Sequence, residues 1–181
     1  MHPWHDIDPE ISLEGDCRAI IEISKGSQVK YEIDKETGLL KMDRVLYSAV
    51  HYPADYGFIP RTLWHDNDPM DIFVLGSFPI VPMTIVKVRI IGVICMEDSS
   101  EGDDKLLSVY TGDPRFDEYR DMEDIPPHTL RELKHFLETY KELQGKKVTV
   151  MEMKGRLAAI QSLHESCQLY DQMRKDTVNW S

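Results

Sequence analysis

Residues 84–95 read TIVKVRIIGVIC, and this stretch sets the fold class that the sequence predicts. β-Branched residues dominate it, which is typical of a strand. Similar short runs recur from about residue 18 to 110, separated by turn residues such as Gly, Pro, Asn and Asp. The other runs are RAIIEIS (18–24), VKYEID (29–34), LLKMDRVLY (39–47), DIFVLG (71–76) and KLLSVY (105–110). We therefore expect consecutive short strands in this part of the chain.

The spacing of the apolar residues changes after residue 125. Residues 126–145, PPHTLRELKHFLETYKELQG, have apolar residues at helical spacing, which predicts an amphipathic helix over about 127–144. Its apolar stripe contains Leu130, Leu133, Phe136, Leu137, Tyr140 and Leu143. KKVTVME (146–152) predicts one more strand. Residues 156–175 predict a closing helix, with one side formed by Leu157, Ile160, Leu163 and Cys167.

Length and element order together predict one α+β domain over residues 1–181. Residues 1–17 would form an N-terminal arm, with His2 and His5 at the surface. Residues 18–152 would form a small closed β-barrel with helices packed outside. A barrel of this kind offers one polar mouth or face for a site.

The charge balance limits the partners that the protein can have. Its formal net charge is −11, from 32 acidic and 21 basic residues. This excess of acid argues against a nucleic-acid or membrane partner, because phosphate backbones attract Lys and Arg. There is no apolar run of about 18 residues and no signal-peptide pattern, so we expect a cytoplasmic protein. Three widely spaced cysteines predict free thiols.

Residues 66–71, DNDPMD, place three aspartates within six positions. A solvated turn would explain them, since Asp, Asn and Pro favour turns. A hard divalent cation would explain them as well, because Mg²⁺ prefers carboxylate oxygens and the turn lets the three side chains point to one side. A calcium EF-hand loop is excluded, since Asp71 stands where its invariant glycine would be.

Further acids and bases lie in or beside the predicted strand ends. Each of them taken alone would be assigned to the solvent-exposed surface. The acids are Glu22, Glu32, Asp66, Asp68, Asp71, Asp98 and Asp103, and the interleaved bases are Lys30, Arg44, Lys105 and Lys141. Carboxylates in this number cannot converge without positive charge between them. Tyr56 and Tyr140 offer hydroxyl donors for phosphate oxygens, although a core role for Tyr140 is equally consistent with its helical spacing.

The segments that contain these residues resemble, in order, those of the Mg²⁺-dependent soluble inorganic pyrophosphatases of family I. They are EIS (22–24), KYEID (30–34), DRVLY (43–47), YPADYGFIP (52–60), DNDPMDI (66–72), EDSSEGDDKL (97–106) and HFLETYKEL (135–143). The resemblance covers about residues 3–150. It implies an OB-like five-stranded β-barrel flanked by two helices and extra β-hairpin strands. It also implies hydrolysis of pyrophosphate to two phosphates with several Mg²⁺ ions in each site.

The resemblance also implies a role for each residue at a matching position. Asp66, Asp71 and Asp103 would bind the tight metal ion, Asp71 would be shared with a second ion, and further ions would use Asp98, Asp103, Glu22 and Glu32. Lys30, Arg44, Tyr56, Tyr140 and Lys141 would hold the phosphates, with Lys105 nearby. Asp68 would be the general base. Asp55 departs from the pattern, because many family members have Asn there.

Two other interpretations stay open at this point. A non-catalytic OB-like module that binds divalent metal would keep the acids and lose the chemistry. An OB-type oligonucleotide binder would need a basic face with stacking aromatics, which the acid-rich segments argue against. The family further implies that the substrate is the Mg²⁺ complex of pyrophosphate. It also implies a homo-oligomer, a hexamer if the chain is bacterial.

Overall fold

The computed structural model describes residues 1–98 and 101–178. Ser99 and Ser100 of the EDSSEGDDKL segment, and residues 179–181 of the predicted domain, lie outside the described residues. The strands are β1 (Asp16–Ile23), β2 (Val29–Ile33), β3 (Leu40–Val45), β4 (Asp55–Phe58), β5 (Asp71–Leu75), β6 (Ile85–Asp98), β7 (Glu101–Gly102), β8 (Lys105–Tyr110) and β9 (Val148–Gly155). The α-helices are α1 (Pro3–Asp6), α2 (Pro127–Thr139) and α3 (Arg156–Val178).

Strands β1, β4, β5, β8 and β6 close into a ring. Each pairs with the next, and β6 pairs back with β1. All of these pairings are antiparallel except that between β5 and β8, which is parallel. β7 and β9 pair with β6 outside the ring, while β2 and β3 form a separate two-stranded hairpin. The predicted fold class, a closed five-stranded OB-like barrel with flanking helices and extra hairpin strands, is confirmed.

Strand β4 was missed by the sequence analysis, because its four residues lie inside the YPADYGFIP segment. Gly57 explains why this short segment can join the barrel. A Cβ at Gly57 would lie 1.8 Å from the carbonyl oxygen of Ile20, so only glycine lets β4 approach β1 so closely. The neighbouring residue, Tyr56, is thereby held against the barrel with 7% of its surface exposed.

Both faces of the barrel strands are buried, which explains their nearly continuous apolar sequences. In β5, Phe73 belongs to a cluster completed by Phe136 of α2. Its neighbours Ile72 and Val74 belong to a second cluster, completed by Leu163 of α3. Alternate residues of one strand therefore pack beneath different helices.

Two residues of the predicted helical stripes are exposed, which corrects the sequence analysis. Leu143 is 66% exposed, because α2 ends at Thr139 and a 3₁₀ turn, Glu142–Gln144, changes the direction of the side chains. Leu157 is 81% exposed. The buried side of α3 instead contains Ala159 and Leu163, and Ala159 lies about 200° around the helix from Leu157.

The N-terminal arm packs against the body of the protein, and its two histidines, His2 and His5, are partly exposed there. Trp4 is buried and donates from its indole nitrogen to the carbonyl oxygen of Thr62 at 2.7 Å. His5 Nδ1 lies 2.8 Å from the hydroxyl of Tyr170 in α3. His2 Nε2 lies 3.1 Å from the carbonyl oxygen of Lys35.

The three cysteines are free thiols, as expected. Among the described residues, no helix has the length and apolar character needed to cross a bilayer.

Candidate active site

One polar cavity of about 530 Å³ brings together the residues that the sequence analysis singled out. Its walls are the β2–β3 hairpin, the loop before β5, the start of β8 and the end of α2. The predicted residues that line it are Glu22, Lys30, Glu32, Tyr56, Asp66, Asp68, Asp71, Asp98, Asp103, Lys105, Tyr140 and Lys141. Arg44 is the exception. It donates to Asp43 Oδ2 at 3.0 Å and to Gln144 Oε1 at 2.8 Å, and it does not line the cavity.

Asp66, Asp71 and Asp103 converge at the floor of this cavity. Each offers a carboxylate oxygen, and the three oxygens lie within 4.8 Å of one another. The parallel pairing of β5 and β8 sets Asp71 opposite Lys105, which brings Asp103 beside Asp71. Asp66 is fixed by a local turn, in which its Oδ1 accepts from the backbone N–H of Asp68 at 3.0 Å.

Lys105 supplies positive charge to two of these acids. Its ammonium group donates to both Asp71 and Asp103, and only 3% of the residue is exposed. Burial opposes the charged form, but Asp71 and Asp103 outweigh it and raise the pKa of Lys105 well above its ordinary value. Lys105 therefore stays protonated throughout the physiological range.

Two other acids of the cavity have raised pKa values, because they are buried close to other carboxylates. Burial, together with the nearby charges of Asp71 and Asp103, raises the pKa of Asp66 to about 7. Burial and the charge of Asp71 raise the pKa of Glu22 to about 8. Glu22 is held in place because its Oε1 accepts from the backbone N–H of Ile33 at 2.6 Å. More positive charge than Lys105 provides is needed before all these carboxylates ionise near neutral pH.

The basic residues on the opposite walls are also paired with acids. Lys30 donates to Glu32 at 3.2 Å and to Asp43 at 3.0 Å. Burial lowers its basicity, but Asp43 and Glu32 outweigh burial and raise the pKa of Lys30 to about 12. Lys141, just beyond the end of α2, pairs with Asp98. The Lys30 ammonium group therefore stays charged, and both lysines line the cavity.

The two tyrosines keep their hydroxyl protons. Burial raises the pKa of Tyr56 well above its ordinary value, and the charges of Asp71 and Asp103 add to the effect. Burial likewise raises the pKa of Tyr140, although Lys105 opposes the shift. Both hydroxyls therefore act as hydrogen-bond donors at neutral pH, as phosphate oxygens require.

Asp68 differs from the other two acids of its loop, because it is half-exposed and is not one of the three acids whose carboxylate oxygens converge in the described structure. Its side chain pairs with Lys35, which lies in the turn between β2 and β3. Lys35 and Lys41 also line the cavity, and neither was predicted from the sequence. The nearest signal for Lys35 was its position just after KYEID, which looks like an ordinary exposed turn, whereas Lys41 lies in β3.

Asp55, the departure from the family pattern, lies outside the cavity wall and is 1% exposed. Its carboxylate accepts from the backbone N–H groups of Lys25 at 2.7 Å and Ile80 at 3.2 Å. It also accepts from the hydroxyl of Tyr110 at 2.9 Å. These bonds tie two loops to β8, which is a structural role.

The acid cluster fits a small divalent cation. Oxygens that share one Mg²⁺ lie at most about 4.2 Å apart, because each Mg–O distance is about 2.0–2.1 Å. The spacing of the oxygens of Asp66, Asp71 and Asp103, up to 4.8 Å, is therefore within a small side-chain rotation of this geometry. The donor set, carboxylates alone, also suits a hard cation better than a soft one.

The chain is similar to inorganic pyrophosphatases in sequence and in structure. A family profile described as inorganic pyrophosphatase matches residues 19–171. The soluble inorganic pyrophosphatase of Solanum tuberosum is 46% identical over 169 residues, which make up 93% of this chain and 80% of the relative. The crystal structure of the inorganic pyrophosphatase from Thermus thermophilus matches with a TM-score of 0.89 at 38% identity, covering 93% of this chain and 99% of that one.

A second bacterial structure, the inorganic pyrophosphatase of Helicobacter pylori, matches with a TM-score of 0.87 at 41% identity, and covers 92% of this chain and 99% of its own. The family profile extends beyond the motifs into α3, so the similarity is not confined to about residues 3–150. The chain belongs to the inorganic pyrophosphatase family.

Proposed function

We propose that the protein hydrolyses inorganic pyrophosphate to two orthophosphates in the cavity described above. Membership of the pyrophosphatase family supports this activity. The observation that carries the assignment to this cavity is the convergence of Asp66, Asp71 and Asp103 in a space that lysines and tyrosines also line. Acids that bind cations and donors that bind phosphate thus face the same space.

Asp66, Asp71 and Asp103 would hold one divalent cation, which we propose to be Mg²⁺. Asp71 would also serve a second ion, and Asp98, Glu22 and Glu32 would hold others. When bound, these ions supply positive charge that lowers the pKa of water and offsets the charge of the phosphates. The raised pKa of Glu22 means that this residue must release a proton before it can act as a ligand.

The lysines and tyrosines would bind and orient the two phosphates. Lys30, Lys105 and Lys141 would provide positive charge, and the hydroxyls of Tyr56 and Tyr140 would donate hydrogen bonds. Arg44 would join them only after releasing Asp43 and Gln144. A bare pyrophosphate would be repelled by a chain of net charge −11, so we propose that the substrate enters as its Mg²⁺ complex.

Asp68 would act as the general base. Its carboxylate is accessible and lies in the same loop as two proposed ligands, so it can accept a proton from the attacking water. The water oxygen forms a bond to one phosphorus atom, and the bond from that phosphorus to the bridging oxygen breaks. The charged side chains around the second phosphate stabilise it as it leaves.

The test is release of phosphate from pyrophosphate by the purified protein, with Mg²⁺ and then with excess chelator. Rapid release that stops on chelation is the expected result. A folded protein that releases no phosphate at any Mg²⁺ concentration would contradict the proposal, and would favour the non-catalytic metal-binding module.

Two further properties are proposed from the family alone. We propose a homo-oligomer, a hexamer if the chain is bacterial, which light scattering would detect as a mass several times 21.0 kDa. We also propose a cytoplasmic location, which fractionation of cells that produce the protein would check.

A further inference from the structure

Lys35 is the residue at which three separate parts of the chain meet beside the cavity. It lies in the turn of the β2–β3 hairpin, which carries Lys30 and Glu32 into the same cavity. That hairpin has no backbone strand pairing with the barrel sheet, since its two strands pair only with each other among the described strands, and the backbone N–H of Ile33 donates instead to the side chain of Glu22 in β1. Its position relative to the acid loop therefore depends on side-chain contacts.

The side chain of Lys35 makes such a contact with the acid loop in two places. Its ammonium group pairs with the carboxylate of Asp68 and donates to the carbonyl oxygen of Asn67 at 3.1 Å. Asn67 has a φ of 65°, so this carbonyl belongs to a sharp left-handed turn whose shape sets the direction of Asp68. One cation thus contacts both the proposed base and the turn that positions it.

The backbone of Lys35 is itself held in place. Within its turn, Asp34 accepts from the backbone N–H of Thr37 at 2.9 Å. From outside, His2 donates from Nε2 to the carbonyl oxygen of Lys35 at 3.1 Å. The backbone N–H of Trp4 points at His2 Nδ1 at 3.3 Å, which agrees with a tautomer that carries its proton on Nε2. A side chain on an anchored turn can restrain the loop that it contacts.

We propose that Lys35 is a positioning residue for Asp68. It restrains the direction of the Asp68 carboxylate through its ion pair with that group and its hydrogen bond to the carbonyl oxygen of Asn67. This inference rests on the proposed function, because the role of Asp68 as a base does. It makes Lys35 important for the rate of the chemical step and not for the affinity of the substrate.

The decisive experiment compares steady-state pyrophosphate hydrolysis by the wild type, Lys35→Met, Lys35→Arg and Lys134→Met. Lys134 is a matched control, because it also forms an ion pair and its side chain is 51% exposed, the same fraction as that of Lys35, but it lies in α2 away from the cavity. We expect Lys35→Met to lower kcat by about 10- to 100-fold with little change in KM. Lys35→Arg should recover most of the rate, and Lys134→Met should equal the wild type.

A double-variant cycle separates positioning of Asp68 from a general effect of charge. If Lys35 acts through Asp68, then adding Lys35→Met to Asp68→Asn should cause little further loss of kcat. Circular dichroism and thermal unfolding confirm that each variant is folded, and Lys35→Gln replaces Lys35→Met if the latter is not.

Three results would overturn the inference while leaving the proposed function standing. The first is a Lys35→Met enzyme as fast as Lys134→Met, and the second is an effect of Lys35→Met on KM alone. The third is a double variant whose loss of kcat equals the product of the losses in the two single variants. An inactive wild type would instead refute the proposed function, and the role of Lys35 with it.

Discussion

The helices α2 and α3 both cover the barrel with an apolar face, but only α2 contributes to the cavity. Phe136 of α2 and Leu163 of α3 pack in equivalent ways over alternate residues of β5. Tyr140 and Lys141, at the end of α2, line the cavity, whereas no described residue of α3 does. The apolar spacing of a helix thus indicates which side is buried, while the residues of α2 that line the cavity lie where the helix ends.

The largest expected effect is on activity, for a substitution in the cavity to which α2 contributes. Asp71→Asn removes an acid shared by two proposed cations, so several kcal/mol of transition-state stabilisation should be lost, which is about 1,000-fold in kcat/KM. Hydrolysis assays with saturating Mg²⁺ measure the loss. A variant that keeps wild-type activity would show that Asp71 binds no essential cation.

A change on the α3 side should affect stability alone. Leu163→Ala empties a fully buried position, which should lower the free energy of unfolding by about 2–5 kcal/mol. Denaturant titration measures this loss. Well below the melting temperature, kcat/KM should match the wild type, and a large fall in activity would break the proposed division between the two helices.

Glu22, which lines the cavity, makes the stability of the protein depend on pH. Its pKa is about 8 in the folded protein against an ordinary value of 4.5, so its contribution to stability is present below pH 4.5 and is lost as the pH rises through about 8. Glu22→Gln removes this dependence and should be more stable than the wild type at pH 8, by on the order of a few kcal/mol.

Thermal unfolding of both proteins in chelator, from pH 5 to pH 8, measures the effect. The difference between them should shrink toward pH 5. Parallel stability curves across this range would contradict a buried, protonated Glu22.

The smallest expected effect distinguishes two bases of the hairpin. Lys30 lines the cavity, so Lys30→Met should cost about 1.5–3 kcal/mol, or about 10- to 100-fold in kcat/KM. Arg44 is held by Asp43 and Gln144, so Arg44→Met should cost less. Equal losses, measured side by side, would show that Arg44 rotates into the cavity and binds phosphate directly.

The sequence predicts the barrel well because the spacing of apolar residues and the residue types of turns are local properties. The β8 boundaries agree with the run KLLSVY, and β5 begins at Asp71 as expected. Strand β4 could not be predicted in this way, since four residues are too few to show an alternating pattern of apolar residues. Its position depends on the fit of Gly57 against Ile20. The exposure of Leu157 likewise depends on which side of α3 meets the barrel.

For the site, motif resemblance located residues that are far apart in the chain, because these residues are tied to recognisable segments. It could not locate Lys35, whose role depends on a contact across space with Asp68. Nor could it show that Arg44 lies against Asp43 and Gln144, because side-chain direction is decided by neighbours from other elements. Local pattern therefore identifies the acids and bases, and the fold decides their partners.

In the proposed function, the acids of residues 66–71 divide into cation ligands and a base, and Asp68→Asn tests this division. The measurement is kcat together with Mg²⁺ affinity by calorimetry, for this variant and the wild type. We predict that kcat falls by about 10²- to 10⁴-fold while the Mg²⁺ affinity stays close to that of the wild type. A near-normal kcat, or a loss of Mg²⁺ binding that matches the loss of rate, would contradict the claim.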